Sequence, residues 1–183
     1  KTFGKTEIAY VYEYNLFRKY LNIDFKNYGK SGLVIRGYPT ENLTFDFEGK
    51  IGKEIAFNEE VPKIGKEKSI FLSLAYKLGN NINLSSSINY SRLDNLENNK
   101  SIYNGYISRL SFRYQFNNDL SLRLVSEYNK FNDTFLLQPL LKWNPNPSTI
   151  FYIGGIQNSI YNFDLEPEDF NPFRVNRSQF FLK

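Results

Sequence analysis

The sequence predicts an all-β fold, an antiparallel up-and-down transmembrane β-barrel, and three observations lead to this prediction. Apolar side chains recur at every second position, as in the stretch 109–129. The connections between such segments alternate between short and long in the second half of the chain. No segment shows a helical period. A period of two indicates extended strands, because successive side chains point to opposite faces of the pleat.

About eleven strands are predicted from runs of alternation that end at Gly, Asn, Asp or Pro. They cover residues 6–14, 19–27, 31–38, 42–52, 68–78, 81–91, 104–116, 119–130, 134–143, 148–157 and 176–183. In chain order, the clearest apolar sets are Ile8, Tyr10, Tyr12 and Tyr14; Leu43, Phe45 and Phe47; Ile70, Leu72, Leu74, Tyr76 and Leu78; Ile82, Leu84 and Ile88; Leu110, Phe112, Tyr114 and Phe116; and Leu120, Leu122, Leu124 and Tyr128. The alternate positions of these strands are polar, which gives each strand one apolar and one polar face.

The predicted strand 134–143 contains Pro139, in the sequence Leu-Leu-Gln-Pro-Leu-Leu. Proline has no N–H to donate to a neighbouring strand. We therefore expect a bulge or an unpaired position at Pro139.

The connections distinguish the two ends of the strands. Tight turns lie at 79–81, 117–119 and 144–148, and longer links lie at 91–104 and 158–175, with a short exception at 131–133. Short turns at one end and longer loops at the other are typical of outer-membrane barrels, whose periplasmic turns are tight. Strands of about 10 residues also match a tilted membrane-spanning strand.

A soluble sandwich or a lipocalin-like barrel would show the same alternation with its apolar face turned inward. Aromatic residues near the predicted strand ends favour the lipid-facing alternative, since aromatic side chains form girdles at membrane interfaces. These residues are Tyr12, Tyr14, Tyr114, Phe116 and Trp143.

Eleven strands conflict with the even number that is usual in bacterial barrels. The chain also contains no Met. We therefore expect residues 1–183 to form a single outer-membrane β-barrel domain that is incomplete at both ends, a fragment of a barrel of roughly 12 to 16 strands.

The composition argues against catalysis and against nucleic-acid binding. Cys and His are both absent, which excludes thiol catalysis, thiolate or His metal sites and the Ser-His-Asp triad. The net charge is +4, but acidic and basic residues are mixed along the chain, whereas nucleic-acid binding needs a basic stripe. We expect a non-enzymatic protein without a cofactor and without a nucleic-acid partner.

Charged residues on the polar faces are candidates for lining a barrel lumen. They are Asp46, Glu48, Lys50, Lys77, Arg109, Arg113, Arg123, Glu127 and Lys142. Such residues can neutralise one another in a ladder, which is the commoner outcome because unpaired buried charges are costly, or they can line an aqueous path. Asp46 and Glu48, about 7 Å apart on one face from the strand rise, also fit glycosidase spacing, but same-face carboxylates on strands are common.

The longest predicted extracellular loop contains the acidic stretch Asp164–Asp169 between aromatic residues. Its binding candidates are Tyr161, Phe163, Asp164, Glu166, Asp169 and Phe170. Clustered oxygens suit Ca²⁺, but the spacing lacks the alternation of a calcium loop, which favours a solvated loop and no metal. The aromatic residues are hypothesised to fold into the barrel mouth or to stack on sugar rings.

Three successive hairpin sequences carry a family resemblance. They are "IFLSLAYKLGNNINLSSSINYSRLDN", "YISRLSFRYQFNNDLSLRLVSEYN" and "LLQPLLKWNPNPSTIFYIG". The region 68–157 resembles the C-terminal outer-membrane barrel of a bacterial family of unknown function, whose members carry an N-terminal carbohydrate-binding-like domain. The resemblance implies an outer-membrane barrel associated with carbohydrate binding. The first 60 residues match that family poorly, and we do not expect its N-terminal domain within residues 1–183.

These observations predict a Gram-negative outer-membrane protein. The predicted function is that of a porin-like pore, or of a membrane anchor for a surface or periplasmic binding domain related to glycans. One alternative is a plugged structural barrel that is a subunit of a larger outer-membrane complex. Another is an outer-membrane hydrolase whose catalytic groups lie outside this fragment. The expected partners are outer-membrane lipid and lipopolysaccharide, and further outer-membrane proteins or glycans.

Overall fold

The computed structural model describes residues 4–57, 59, 61–161 and 173–183. Ten β-strands lie in these ranges: β1 (Lys5–Tyr20), β2 (Ile23–Tyr38), β3 (Leu43–Ala56), β4 (Lys63–Leu78), β5 (Ile82–Asn95), β6 (Ser101–Gln115), β7 (Leu120–Asn129), β8 (Thr134–Asn146), β9 (Thr149–Tyr161) and β10 (Phe173–Leu182). No helix long and apolar enough to cross a membrane occurs in the part of the chain that the structure describes.

The ten strands form one antiparallel sheet in which neighbours in sequence are neighbours in space, from β1 to β10. This confirms the predicted all-β, antiparallel, up-and-down architecture. Among the described residues β1 pairs only with β2, and β10 pairs only with β9. A closed barrel therefore stays a prediction.

The sequence-based strand count was wrong at the N-terminus, where three predicted strands are two long ones. β1 and β2 meet at a two-residue turn, Leu21-Asn22, with φ angles of 46° and 62°. Positive φ at both central residues suits a turn that matches the right-handed twist of a hairpin. Leu carries no turn signal, so the turn was missed.

The predicted break between two strands at residues 28–30, with the sequence Tyr-Gly-Lys, was wrong. These residues lie inside β2, where all three pair with β1 and Lys30 also pairs with β3. A Cβ atom added to Gly29 would collide with the carbonyl oxygen of Glu13, and one added to Gly32 would collide with that of Gly49. These glycines are needed because neighbouring backbones approach closely.

Two compact units divide the chain. Unit 1 comprises Lys1–Ser73 and Ile88–Tyr106, and unit 2 comprises Leu74–Ser87 and Ile107–Lys183. Unit 1 therefore contains β1 to β3 and parts of β4, β5 and β6, and unit 2 contains the remainder of those three strands with β7 to β10.

Unit 1 has a small apolar core near the turn that joins β1 to β2. Phe25, Tyr28 and Ile55 are buried together. Strict alternation would place residues 25 and 28 on opposite faces of β2. Asn27 between them has a φ of 54°, a left-handed conformation that Asn tolerates better than most residues. This break in the alternation accompanies the burial of both aromatic rings in one cluster.

In unit 2 the register fixes which charged residues face one another. Arg109 lies opposite Glu127, and Arg113 lies opposite Arg123. An unpaired position at Pro139 is confirmed, since the register between β8 and β9 is the same at Leu137–Gln157 and at Leu140–Gly154 but Gln138 and Pro139 between them have no partner on β9, whereas the bulge of this strand pair lies between Trp143 and Asn146. Pro139 is paired on its other side, opposite Leu124 of β7.

The left-handed conformation of Asn27 gives a test of the unit 1 core. We predict that Asn27→Val lowers the free energy of unfolding by about 1–2 kcal/mol, because a β-branched side chain clashes at positive φ. Asn27→Gly is the matched control and should change it by less than about 0.5 kcal/mol. Urea unfolding followed by far-UV circular dichroism measures both. Equal losses in the two variants would contradict the proposed cause.

Candidate functional site

The apolar face of unit 1 is exposed. In β1 the side chains of Ile8, Tyr10, Tyr12, Tyr14 and Leu16 lie at alternate positions and are 48–73% exposed. The same face continues over neighbouring strands with the exposed side chains of Leu33 on β2, Ile51 on β3, Ile70 on β4, Ile88 on β5 and Tyr106 on β6. The register supports this assignment for β2, since Leu33 lies opposite Tyr10.

Unit 2 shows the same pattern. Its exposed large apolar side chains include Leu74, Tyr76, Leu78, Leu84, Leu110, Leu124, Trp143, Phe151 and Ile153. A soluble monomer rarely exposes a contiguous apolar patch larger than a few hundred Å². Rows of exposed apolar side chains along successive strands indicate a surface that is covered by something apolar.

The opposite face of unit 1 holds a partly buried network of charges centred on Lys30. The Lys30 ammonium donates hydrogen bonds of 2.9 Å to Glu54 Oε2 and of 2.9 Å to Glu67 Oε2. The three side chains are 17%, 23% and 11% exposed, respectively. Two carboxylates on adjacent strands are thus bridged by one ammonium.

A second ammonium extends the network toward β1. Lys50 Nζ lies 2.6 Å from Glu13 Oε1 and 2.6 Å from Glu48 Oε1. The other oxygen of Glu13 lies 4.0 Å from Lys30 Nζ. The two lysines therefore share Glu13, and the network connects β1, β2 and β3 with β4.

Hydroxyl groups carry the network further. Ser91 Oγ donates to Glu67 Oε1 at 3.4 Å and lies 3.4 Å from Tyr103 Oη. Polar contacts thus run across six neighbouring strands, from Glu13 on β1 to Tyr103 on β6. We call this set, Glu13, Lys30, Glu48, Lys50, Glu54, Glu67, Ser91 and Tyr103, the polar network. It contains four carboxylates and two ammoniums.

The structure brings three of the predicted lumen residues into ion pairs in unit 1. Glu48 and Lys50 belong to the polar network, and Asp46 lies 3.5 Å from the Arg36 guanidinium. The carboxylates of Asp46 and Glu48, considered for glycosidase spacing, are each paired with a cation.

Sequence reasoning missed most of the polar network. The predicted strands ended at 27 and 52 and began again at 31 and 68, so Lys30, Glu54 and Glu67 fell in presumed loops. The signal that could have found Glu54 is alternation beyond residue 52, because Lys50, Gly52 and Glu54 share one face of β3.

The predicted lumen residues of unit 2 are arranged differently. Arg109 and Glu127 form an ion pair of 3.6 Å. Arg113 and Arg123 face each other across β6 and β7, and Lys142 lies opposite Ser121. Within the described ranges four predicted lumen cations have no carboxylate within 4.0 Å, namely Lys77, Arg113, Arg123 and Lys142.

The predicted loop candidates Phe163, Asp164, Glu166, Asp169 and Phe170 lie outside the described residues. Tyr161 is the last residue of β9, and its side chain is also outside the description. Among the described residues no group of three or more carboxylates forms a metal site.

Aromatic side chains cluster at the short-turn ends of unit 2. The rings of Tyr114 and Phe116 lie 4.5 Å apart, and those of Trp143 and Phe151 lie 5.4 Å apart. Trp143 and Phe151 also line a shallow apolar groove of about 260 Å³ with Leu120, Leu141 and Ile153.

The predicted position of Tyr12 and Tyr14 at a strand end was wrong. Both lie inside β1, which continues to Tyr20. Their rings stack at 6.0 Å within the exposed apolar row.

The turn between β7 and β8 is held by one carboxylate. Asp133 accepts hydrogen bonds from the Lys130 ammonium at 2.6 Å and from the Tyr128 hydroxyl at 2.9 Å. These two donors hold the pKa of Asp133 below its usual value of 3.8. The resulting stabilisation is present above the usual pKa and is lost as the pH falls through the lowered pKa.

We predict that Lys130→Gln raises the pKa of Asp133 toward its usual value, because the largest stabilising contact of the carboxylate is lost. Titration of the ¹³C carboxyl signal of Asp133 measures this. Lys100→Gln, in a different turn, is the control and should leave the titration unchanged. An unchanged Asp133 titration in Lys130→Gln would contradict the assignment.

Lys30 is the residue on which the polar network depends most. We predict that Lys30→Gln lowers the free energy of unfolding by about 3–5 kcal/mol, because Glu54 and Glu67 are then left partly buried without a cation. Lys26→Gln is the matched control, since Lys26 lies on the same strand, is exposed and forms no ion pair among the described residues, and its ammonium contacts only the Phe17 ring, 5.9 Å away. It should cost less than about 1 kcal/mol.

Urea unfolding under identical conditions compares the two variants. A loss in Lys30→Gln no larger than that in Lys26→Gln would show that the polar network does not stabilise the fold.

Comparison with protein-family models, with curated proteins and with solved structures finds no match to the chain. The resemblance of region 68–157 to the family with a carbohydrate-binding-like domain therefore stays a prediction.

Proposed function

We propose that this chain is an integral β-sheet protein of a Gram-negative outer membrane, with its apolar faces against lipid and its polar faces turned away from lipid. The observation that carries the proposal is the exposed apolar face of unit 1 opposite the partly buried polar network. In a soluble β protein the arrangement is the reverse, with apolar side chains inside and charges outside.

Strand length supports the proposal. The strands are between 10 and 16 residues long. A tilted β-strand needs about 9–11 residues to cross the hydrocarbon layer. Every described strand is long enough to do so.

A change from apolar to basic side chains marks one edge of the apolar face of unit 1. Along that face Leu16 is followed by Arg18 on β1, Ile51 by Lys53 on β3, and Tyr90 by Arg92 on β5, while Lys68 precedes Ile70 on β4. All four changes lie toward the same end of the sheet, where β1 turns into β2, β3 into β4 and β5 into β6. Long cationic side chains at that level keep their charges in the headgroup region while their stems contact apolar surface.

The polar network favours an anchoring role. It joins six strands of unit 1 through paired charges, which suits a rigid support better than an open path. The protein accordingly serves as a membrane anchor that holds a binding domain at the cell surface or in the periplasm. The glycan link rests on the sequence resemblance alone.

A pore is the second candidate function. The observation that favours it is the set of cations on the polar face of unit 2 that have no ion pair within the described residues, where Arg113 faces Arg123. Unpaired charges on a polar face are more compatible with water than with a filled interior.

The membrane proposal predicts that an added charge lowers stability much more on one face of β4 than on the other. Leu74→Arg places a cation on the apolar face and should lower the stability of the protein folded in lipid vesicles by about 2–4 kcal/mol. Ser73→Arg, the adjacent control on the polar face, should cost less than about 1 kcal/mol there.

Urea unfolding from neutral vesicles measures both variants. A soluble protein with the same sheet would give the opposite order, because Leu74 would face water and Ser73 the interior. That order, or folding only in the absence of lipid, would overturn the proposal.

A further inference from the structure

Among the described residues, cations without an ion pair are concentrated on the polar face of unit 2. Arg113 on β6 and Arg123 on β7 are directly opposite each other in the register. On β8 the residue directly opposite Arg123 is Leu140, and Lys142 is two residues further along the same face, opposite Ser121. The two arginines are exposed and Lys142 is half-buried.

The neighbouring pair on the same strands shows what normally occupies such positions. Arg109 and Glu127 also face each other, and their charges are opposite and 3.6 Å apart. Like charges placed directly opposite each other destabilise a sheet. The Arg113–Arg123 pair thus carries a repulsion that no carboxylate in the described ranges relieves.

The two arginines and the hydroxyl group of Ser121 are suited to an oxyanion. Cβ atoms of directly opposed residues are about 4.5–5.5 Å apart, so two guanidinium groups can reach the same small ligand. Arg presents a planar fork of donors that matches phosphate oxygens in a bidentate manner. Ser121, opposite Lys142, adds a hydroxyl donor on the same face.

We propose that Arg113, Arg123 and Lys142 form a binding site for a phosphate group of a small soluble anion. The ligand is a solute because the site lies on the face opposite the apolar side chains of Leu110 and Leu124. The proposal goes beyond the membrane role and rests only on the register and charges of β6, β7 and β8.

Inorganic phosphate is the probe for a titration of the full chain in a non-ionic detergent, with ¹⁵N signals of the arginine Nε–Hε groups as the readout. We expect saturable shifts of Arg113 and Arg123, and at least a tenfold weaker affinity in Arg113→Gln/Arg123→Gln. Arg109→Gln is the matched control, since Arg109 lies on the same face but is already paired, and its affinity should stay within twofold of the wild type.

Two further measurements separate binding from folding. Without phosphate, Arg113→Gln/Arg123→Gln should unfold at a urea concentration at or above that of the wild type, because a repulsion has been removed. Arg113→Lys/Arg123→Lys keeps the charge but not the fork and should give an intermediate affinity. Phosphate should raise the unfolding midpoint of the wild type and not that of the Gln variant.

Several results would overturn the proposal. One is the same shifts with chloride at equal ionic strength, which would indicate screening alone. Another is an equal loss of affinity in Arg109→Gln. Saturation by vesicles of anionic lipid with no response to inorganic phosphate would assign the charges to a membrane surface instead. Because the titration is made in detergent, failure of the chain to insert into vesicles would count against the membrane role and not against this site.

Discussion

The ammonium of Lys30, held between Glu54 and Glu67, is the interaction on which the rest of unit 1 depends. Burying two carboxylates on one face of a sheet is costly unless a cation lies between them. Because side chains alternate along each strand, fixing these charges on one face sends the apolar residues to the other. A shift of one residue in the register would place the charges among those apolar side chains.

The alternation of faces was predictable from the sequence, but the ends of several strands were not. The hairpin at 115–120 was predictable because Asn and Asp mark its turn. The turn at Leu21-Asn22 was not predictable, because Leu is rarely found at positive φ. Gly29, which lies in the wrongly predicted break at 28–30, was misleading for a related reason. A glycine in the sequence is compatible both with a turn and with a strand whose backbone approaches a neighbouring backbone closely. Only the position of the neighbouring strand distinguishes the two cases.

The candidate site was predictable only where its residues lie within regular alternation. Glu48 and Lys50 lie within the regular alternation of β3 and were identified as polar-face residues. Glu67 lies at the start of β4, and its role depends on Lys30, which is 37 positions earlier in the sequence. A contact between strands that are not neighbours in the sequence depends on register, which a single sequence does not specify.

The two units differ in how their polar faces handle charge. In unit 1 the cations are bridged by carboxylates, which stabilises the strands relative to one another. In unit 2 Arg113 and Arg123 face each other, and among the described residues no carboxylate forms an ion pair with either of them. The bridged charges of unit 1 suit a rigid membrane anchor, and the arginine pair of unit 2 suits the binding of an anion. The proposals for the two units are therefore compatible in one chain.

The central claim is that one face of the sheet contacts lipid and the other does not, and the chain is well suited to a direct measurement because it contains no native Cys. Single Cys residues at positions 72–76 of β4, each carrying a spin label in lipid vesicles, report collision with oxygen and with a water-soluble nickel complex. The account predicts a period of two, with oxygen favoured at Leu72, Leu74 and Tyr76 and the nickel complex less excluded at Ser73 and Ala75. Uniform access of the nickel complex along the strand, or the reverse alternation, would contradict it.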